Sequence, residues 1–285
     1  MLPGHRKPPW LRVKAMGGDK FNEISAQVRD LGLNTICREA NCPNRGECYS
    51  RGTATFLIMG PRCTRNCRFC NVTSGKPAAL DPEEPGRVAE AARRMHLRYV
   101  VVTSVTRDDL PDGGADHFAR TITALKEVLP EAKVEVLIPD FKGQAEPLGV
   151  VLAAGPDVLN HNLETVPGLY DSVRPGADYK RSLQLLDRAG RDNSCLTKSG
   201  LMVGLGESRA ELLKVFADLA ASNVTILTLG QYLSPSKDHL PVARYVPPEE
   251  FNEMAGQARE AGIKVVVAGP LVRSSYQADR AFSGF

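Results

Sequence analysis

The chain has 285 residues, of which 42% are hydrophobic and 24% charged, with a formal net charge of +3. That length suits a single α/β barrel with a sizeable core, and the near-neutral balance argues against nucleic acid as a main partner. No run approaches the ~20 apolar residues of a bilayer span. Residues 1–19 are basic and rich in Pro and Gly with no apolar centre, so they are no secretory signal but an arm, mobile or packed on the protein. Of seven cysteines, six crowd into residues 37–70. Such crowding fits metal ligands in a cytoplasmic protein better than a disulfide framework.

Residues 1–53 carry three of the cysteines and few strand signals. From residue 54 short apolar runs appear at 55–59, 98–105, 133–139, 158–163, Leu196–Val203, 224–229 and 264–268. They are nearly continuous in apolar character, as strands buried on both faces should be. Amphipathic helical spacing fills most of the intervals: Val88, Ala91, Ala92 and Met95; Leu212, Val215, Phe216 and Leu219; Phe251, Met254, Ala255 and Ala258. Asp81, Pro82 and Glu84 read as an N-cap, first-turn proline and capping-box acid, and Gly190 and Gly262 as helix stops. Strands alternating with helices predict a parallel α/β sheet. Six or seven units suggest a partial or open (β/α) TIM-type barrel over 54–271, with an N-terminal cysteine-bearing extension at 1–53 and a C-terminal tail at 272–285. A doubly wound sheet is the alternative.

Cys63, Cys67 and Cys70 form C-x3-C-x2-C directly after the first predicted strand. In a parallel barrel, the loop after a strand opens on the catalytic face. Three thiolates there can hold three irons of a [4Fe–4S] cube, which four cysteines usually complete. One iron is then left for an outside chelator. Cys37, Cys42 and Cys48 form C-x4-C-x5-C. Six thiolates exceed the need of one cube, so a second cluster is the simplest account; structural zinc is the plainer alternative for either group.

C-x3-C-x2-C with Phe69 before its last cysteine resembles the radical S-adenosylmethionine (SAM) superfamily signature. The upstream C-x4-C-x5-C resembles the lipoyl synthase family within it. Further matches are KPPWLRVK at 7–14, TFLIMGPRCTRNCRFC at 55–70, TSVTRDDLPDGGADHF at 103–118 and HNLETV at 161–166. RPGADYKRSL at 174–183, TKSGLMVGLGE at 197–207, QYLSPSKDHLPVARYVPPEEF at 231–251 and GPLVRSSY at 269–276 continue them. Together they cover nearly the whole chain in family order.

The resemblance implies two [4Fe–4S] clusters and SAM, whose amino and carboxylate groups chelate the open iron. It implies sulfur insertion at two unactivated C–H positions of an octanoyl chain, which is amide-linked to a carrier-protein lysine. The second cluster is then the sulfur source. An unactivated methylene has no acidic proton, so no side chain is expected as a general base, and the cofactors carry the chemistry. The second cluster's fourth ligand is implied to be a serine of R-S-S-Y, Ser275 or alternatively Ser274. A serine oxygen is harder than thiolate and suits a cluster meant to come apart.

Gly113 and Gly114, after Asp112, are candidates to receive the amino-acid end of SAM; Asn162, Glu164 and Arg174 are candidates for its ribose and carboxylate. A plain loop and a structural hydrogen-bond network are the respective alternatives. His161 and Cys195 read as structural, and Arg93, Arg94 and Arg98 as a solvated face. The implied partners are octanoylated carriers (glycine cleavage H protein and 2-oxoacid dehydrogenase acyltransferase domains), a flavodoxin- or ferredoxin-type reductant and a cluster-assembly protein. Two competing readings are another sulfur-inserting radical SAM enzyme, such as a methylthiotransferase, and a two-cluster carrier or scaffold. The first is expected to need extra domains, and the second four cysteines per cube.

Overall fold

The computed structural model describes residues 7–13 and 15–282. The first six residues of the predicted arm, Lys14 and the last three residues of the tail lie outside them. Among the described residues the main sheet has seven parallel strands, one for each predicted run: β1 Thr55–Ile58, β2 Tyr99–Ser104, β3 Lys133–Leu137, β4 Val158–Asn160, β5 Leu196–Val203, β6 Ile226–Gln231 and β7 Val265–Gly269. They pair strictly in chain order. A doubly wound sheet reverses its strand order at a switch point. This one never does, so all crossovers run the same way and the sheet curls. Strands β7 and β1 do not pair, which leaves an open barrel.

Alternation along the strands sorts the side chains. Phe56, Ile58, Val100, Val102, Val134, Val136 and Leu159 face the first helices in one apolar cluster, and Leu201, Val203, Leu227 and Leu229 face the later ones in another. Helix α1, Glu84–Arg94, begins later than predicted. Pro85 occupies its first turn, and Glu84 points inward to accept from Met59 N at 2.7 Å and pair with His117 Nε2 at 2.8 Å, so it is no capping-box acid. Gly190 does not stop its helix, Tyr179–Asp192, which ends at Asn193 in the left-handed region. A Cβ at Gly190 would collide with Asn223, so close packing explains that glycine. Gly262, at φ +111°, does follow a helix end, that of Pro248–Glu260.

The extension, poor in strand signals, carries helices. Helix Asp19–Asp30 buries Ile24 and Val28. A two-residue strand, Asn34–Thr35, then pairs antiparallel with β1, and two short helices, Ile36–Glu39 and Arg45–Ser50, follow. The tail also ends in a helix, Ala278–Phe282. Its Ala281 packs on Val158 and Ile226, while the Phe282 ring lies 5.8 Å from that of Tyr99. These partners sit at strand starts, so the helix stoppers the N-terminal end of the barrel. No helix among the described residues is long and apolar enough to cross a membrane.

Above the stopper lies a buried polar layer. Lys198 Nζ donates to both Glu135 oxygens at 2.8 and 2.9 Å, and both side chains are essentially without solvent contact. Tyr99 Oη donates to Glu135 at 2.7 Å, and Asn160 Nδ2 also donates to Glu135, at 3.3 Å. Replacing Lys198 by Met strands a buried carboxylate, which is expected to cost about 3–5 kcal/mol. The urea midpoint should fall with m unchanged, and adding Glu135→Leu should recover much of the loss.

Candidate active site

The loop after β1 carries Cys63, Cys67 and Cys70, and it is fastened on three sides. Thr64 N donates to Thr106 O at 3.1 Å, Arg68 N to Val173 O at 2.9 Å, and Leu240 N to Arg68 O at 3.2 Å. His239 Nε2 bonds to Cys70 O at 3.0 Å. Arg65 reaches Asp108 through two bonds, at 2.7 and 2.9 Å, and buried Asp140 at 2.7 Å. Asp140 also accepts from Arg181 at 3.1 Å. The Arg65 guanidinium outweighs burial and holds the Asp140 carboxyl down at about 2. These charge-assisted bonds tie the loop to the ends of β2 and β3. Cys63 Sγ accepts from the backbone N–H groups of Arg65 at 3.4 Å and Thr106 at 3.3 Å. Burial raises the Cys67 thiol and pushes Cys70 up to about 12. Phe69 is partly buried within the loop.

Asn162, Glu164 and Arg174 come together beside this loop. Asn162 Nδ2 donates to Glu164 Oε1 at 3.0 Å. Arg174 Nη1 donates to the carbonyls of Asn162 and Leu163 at 2.8 and 2.9 Å, with its guanidinium over the Tyr170 ring. Glu164 sits at φ +66° between strands, bridged to Leu201. Burial raises its carboxyl, against the pull of Arg174. The Arg174 cation also acts on Cys67. Asn162 Oδ1 and Arg174 Nε are buried without a partner among the described residues, as polar atoms awaiting a ligand would be.

Gly113 and Gly114 close the adjacent loop at φ +61° and +89°, and Gly114 caps the helix Ala115–Val128. A Cβ there would strike Phe141 or Met59 respectively. Turn geometry and protein packing thus already account for both glycines. His161 is structural: its ring nitrogens bond to Ile138 O at 2.9 Å and Ser182 Oγ at 3.0 Å. Cys195 packs against the core. Arg93 and Arg94 pair with Glu90 on their own helix.

The second cysteine group lies elsewhere. Cys37 is buried in the turn capped by Thr35, Cys42 follows Asn41 in the left-handed region, and Cys48 lies on the helix Arg45–Ser50. All three line one cavity of about 240 Å3, together with Ser275 and Arg273 but not Ser274. Burial pushes Cys37 up to about 11 and Cys48 to about 12. The tail is latched over the cysteines by Asn44 Nδ2 to Leu271 O at 2.7 Å and Tyr276 Oη to Glu47 at 3.1 Å. Among the described residues, no three His, Cys, Asp or Glu side chains converge as ligands of one ion would. A cube makes no such demand, because each thiolate takes its own iron.

Sequence analysis did not single out Arg273. Its charge is felt by Cys42 of one site and Glu164 of the other. No carboxylate among the described residues comes within ion-pair distance of it. Only Gly230 leaves room for it: a Cβ there would collide with Val272 O and stand 3.2 Å from Arg273 Nη1.

Residues 57–219 match the Radical SAM superfamily. Streptococcus suis SuiB bound to its precursor peptide SuiA shares the fold, with a TM-score of 0.59 at 10% identity over 87% of this chain and 53% of that one. Methylornithine synthase does so at 0.50 and 15%, over 78% and 73%. The chain belongs to the radical SAM superfamily, whose enzymes pair an iron–sulfur cluster with SAM. It is 58% identical to lipoyl synthase of Caldanaerobacter subterraneus subsp. tengcongensis over 96% of both chains. Lipoyl synthase of Nitratidesulfovibrio vulgaris is 56% identical over 99% of this chain and 94% of its own. Within the superfamily, this chain is a member of the lipoyl synthase family.

Burial, and after it the Arg174 cation, lower the His161 ring to about 4, from the ordinary 6.5. The unfolded chain takes up that proton near 6.5 and the folded chain resists it, so stability is whole above pH 6.5 and is lost as pH falls towards 4. Denaturant midpoints of the metal-free protein should drop across that window, and His161→Asn should flatten the drop.

Proposed function

We propose that the chain inserts two sulfur atoms into an octanoyl chain carried on a protein lysine, giving the lipoyl group. Membership of the lipoyl synthase family supports the reaction. The cavity that gathers Cys37, Cys42, Cys48 and Ser275, apart from the Cys63 loop, is the observation that carries the two-cluster form of it. On this reading Cys63, Cys67 and Cys70 hold the [4Fe–4S] cluster that works with SAM, and Cys37, Cys42, Cys48 and Ser275 hold a second one. When bound, SAM and its cluster supply the 5′-deoxyadenosyl radical for hydrogen abstraction, and the second cluster supplies sulfide.

The chain's own residues bind, orient and exclude water. Arg65, anchored by Asp108 and Asp140, holds the cysteine loop still. Asn162, Glu164 and Arg174 offer donors, an acceptor and unpartnered buried atoms to a ligand carrying an amino group, a carboxylate and ribose hydroxyls. Phe69, Gly113 and Gly114 are proposed for SAM on the family resemblance alone, the two glycines also serving their own turn. Arg273 keeps a cation whose charge is felt at both sites. The proposed partners are the octanoylated carriers, a flavodoxin- or ferredoxin-type reductant and a cluster-assembly protein.

Anaerobically reconstituted protein, given SAM, reductant and an octanoyl-lysyl peptide, should add two sulfurs by mass spectrometry, with about two 5′-deoxyadenosines per product. Deoxyadenosine without sulfur gain would refute the substrate. Ser275→Ala should lower the iron retained at the second site after desalting, with the first cluster's SAM-perturbed spectrum intact. Ser274→Ala should keep all its iron; the reverse pattern would reassign the ligand.

A further inference from the structure

The two cysteine segments touch, Asn71 Nδ2 beside Cys70 donating to Glu39 O at 2.9 Å, but the second site has a lining of its own. The Cys63 loop, the 106–114 loop and the segment from Asn162 to Arg174 all follow strand ends. The cavity of Cys37, Cys42 and Cys48 is lined instead by the residues that lead into strands: Thr53 to Thr55 before and at the start of β1, and Leu97 to Tyr99 before and at the start of β2. None of the SAM-side loops contributes to it. Its outer lining includes the exposed side chains of Arg51, His96 and Arg98. On its inner side stands Arg273, laid over Gly230. The stopper helix Ala278–Phe282 fills the middle of that end of the barrel but leaves the cavity beside it.

We propose that iron and sulfide reach and leave the second site through this mouth at the N-terminal end of the strands, so that an expended cluster is replaced while the SAM face stays occupied. The inference rests on the reading above that Cys37, Cys42, Cys48 and Ser275 hold an expendable cluster. The occupant of the mouth during replacement is a cluster donor presenting [4Fe–4S] on its own thiolates. Transfer is ligand exchange without oxidation or reduction. The three cysteine thiols and the serine hydroxyl lose their protons as they bind iron, and the donor's released thiolates take up protons. Each thiol that binds iron must give up its proton. An approach from solvent gives those protons an exit that a site sealed under bound SAM and substrate lacks.

Arg98→Trp and Arg51→Trp, singly and together, place large side chains across the mouth; Arg51 also pairs with Glu47 at 3.7 Å, so Arg51→Gln controls for the loss of that pair. The holoenzyme is assayed three ways: product in the first turnover, loss of iron to a ferrous chelator, and recovery of a second turnover. Recovery is fed either by a [4Fe–4S]-loaded carrier protein or by ferrous and ferric iron in equal amounts with sulfide, which needs no oxidant. In the double variant, iron loss and recovery should each slow about tenfold, with gating by access as the cause, while the first turnover is unchanged. The protein-borne donor should be slowed more than the free ions. Arg98→Ala should exchange as fast as the parent or faster. In the parent, saturating SAM with unreacted peptide should leave recovery of the second cluster's iron unslowed. Protection of that iron by SAM and peptide, or unchanged exchange in the double variant, would overturn the route. Iron for a single cluster per chain would remove the two-cluster reading and the route with it, and total iron is measured first to tell these failures apart.

Discussion

A barrel that does not close must still dispose of its two sheet edges and its open end, and most of this architecture follows from how that is done. Unpaired strand edges and an uncovered apolar lumen are costly in water. Here the extension pairs Asn34–Thr35 with the free edge of β1, and the tail runs from β7 to the helix that stoppers the lumen. Both ends of the chain are drawn to the same flank for the same reason. Cys37, two residues beyond the edge strand, and Ser275, a few residues before the stopper, meet there across most of the chain. The second cysteine site is therefore assembled at the seam where the barrel fails to close.

The first site depends on a different interaction. A loop bearing three thiols has little intrinsic order, and its position is set by Arg65 clamped between Asp108 and Asp140. Asp140 has no exposed side-chain surface, and its charge is sustained by that guanidinium with Arg181 behind it. Backbone bonds from Arg68 to Val173 and from Leu240 to Arg68 stitch the loop to two further rims. Rim segments far apart in sequence thus share one rigid rim, as positioned chemistry requires.

Between the sites the lumen is graded. Apolar contacts close the bottom and the Lys198–Glu135–Tyr99–Asn160 layer lies above them. Small residues at Gly200 and Gly230 leave space higher up, where Asn162 and Arg273 stand. Arg273 has no carboxylate within ion-pair distance among the described residues, and its neighbours are a thiol and a raised carboxyl. Such a cation is best compensated by anionic groups at the two cysteine sites.

The sequence by itself determined the seven strands, because runs buried on both faces must be apolar throughout, and it determined both cysteine triads, because their ligands lie close along the chain. Family motifs identified the class for the same local reason. Features that depend on what lies opposite were not legible. Glu84 has the spacing of a capping box, yet it turns inward because Met59 N and His117 wait there. Gly190 looks like a helix stop but is a packing glycine beside Asn223. The extension helix leaves little trace in the sequence because it buries only Ile24 and Val28. Ser274 and Ser275 are indistinguishable in sequence; only the tertiary structure lines the cysteine cavity with one of them. Arg273 was legible only as the first residue of R-S-S-Y, since an arginine beside two serines otherwise resembles any solvated turn. Its meaning comes from enclosure within reach of both sites, and enclosure is decided by contacts that no local spacing encodes.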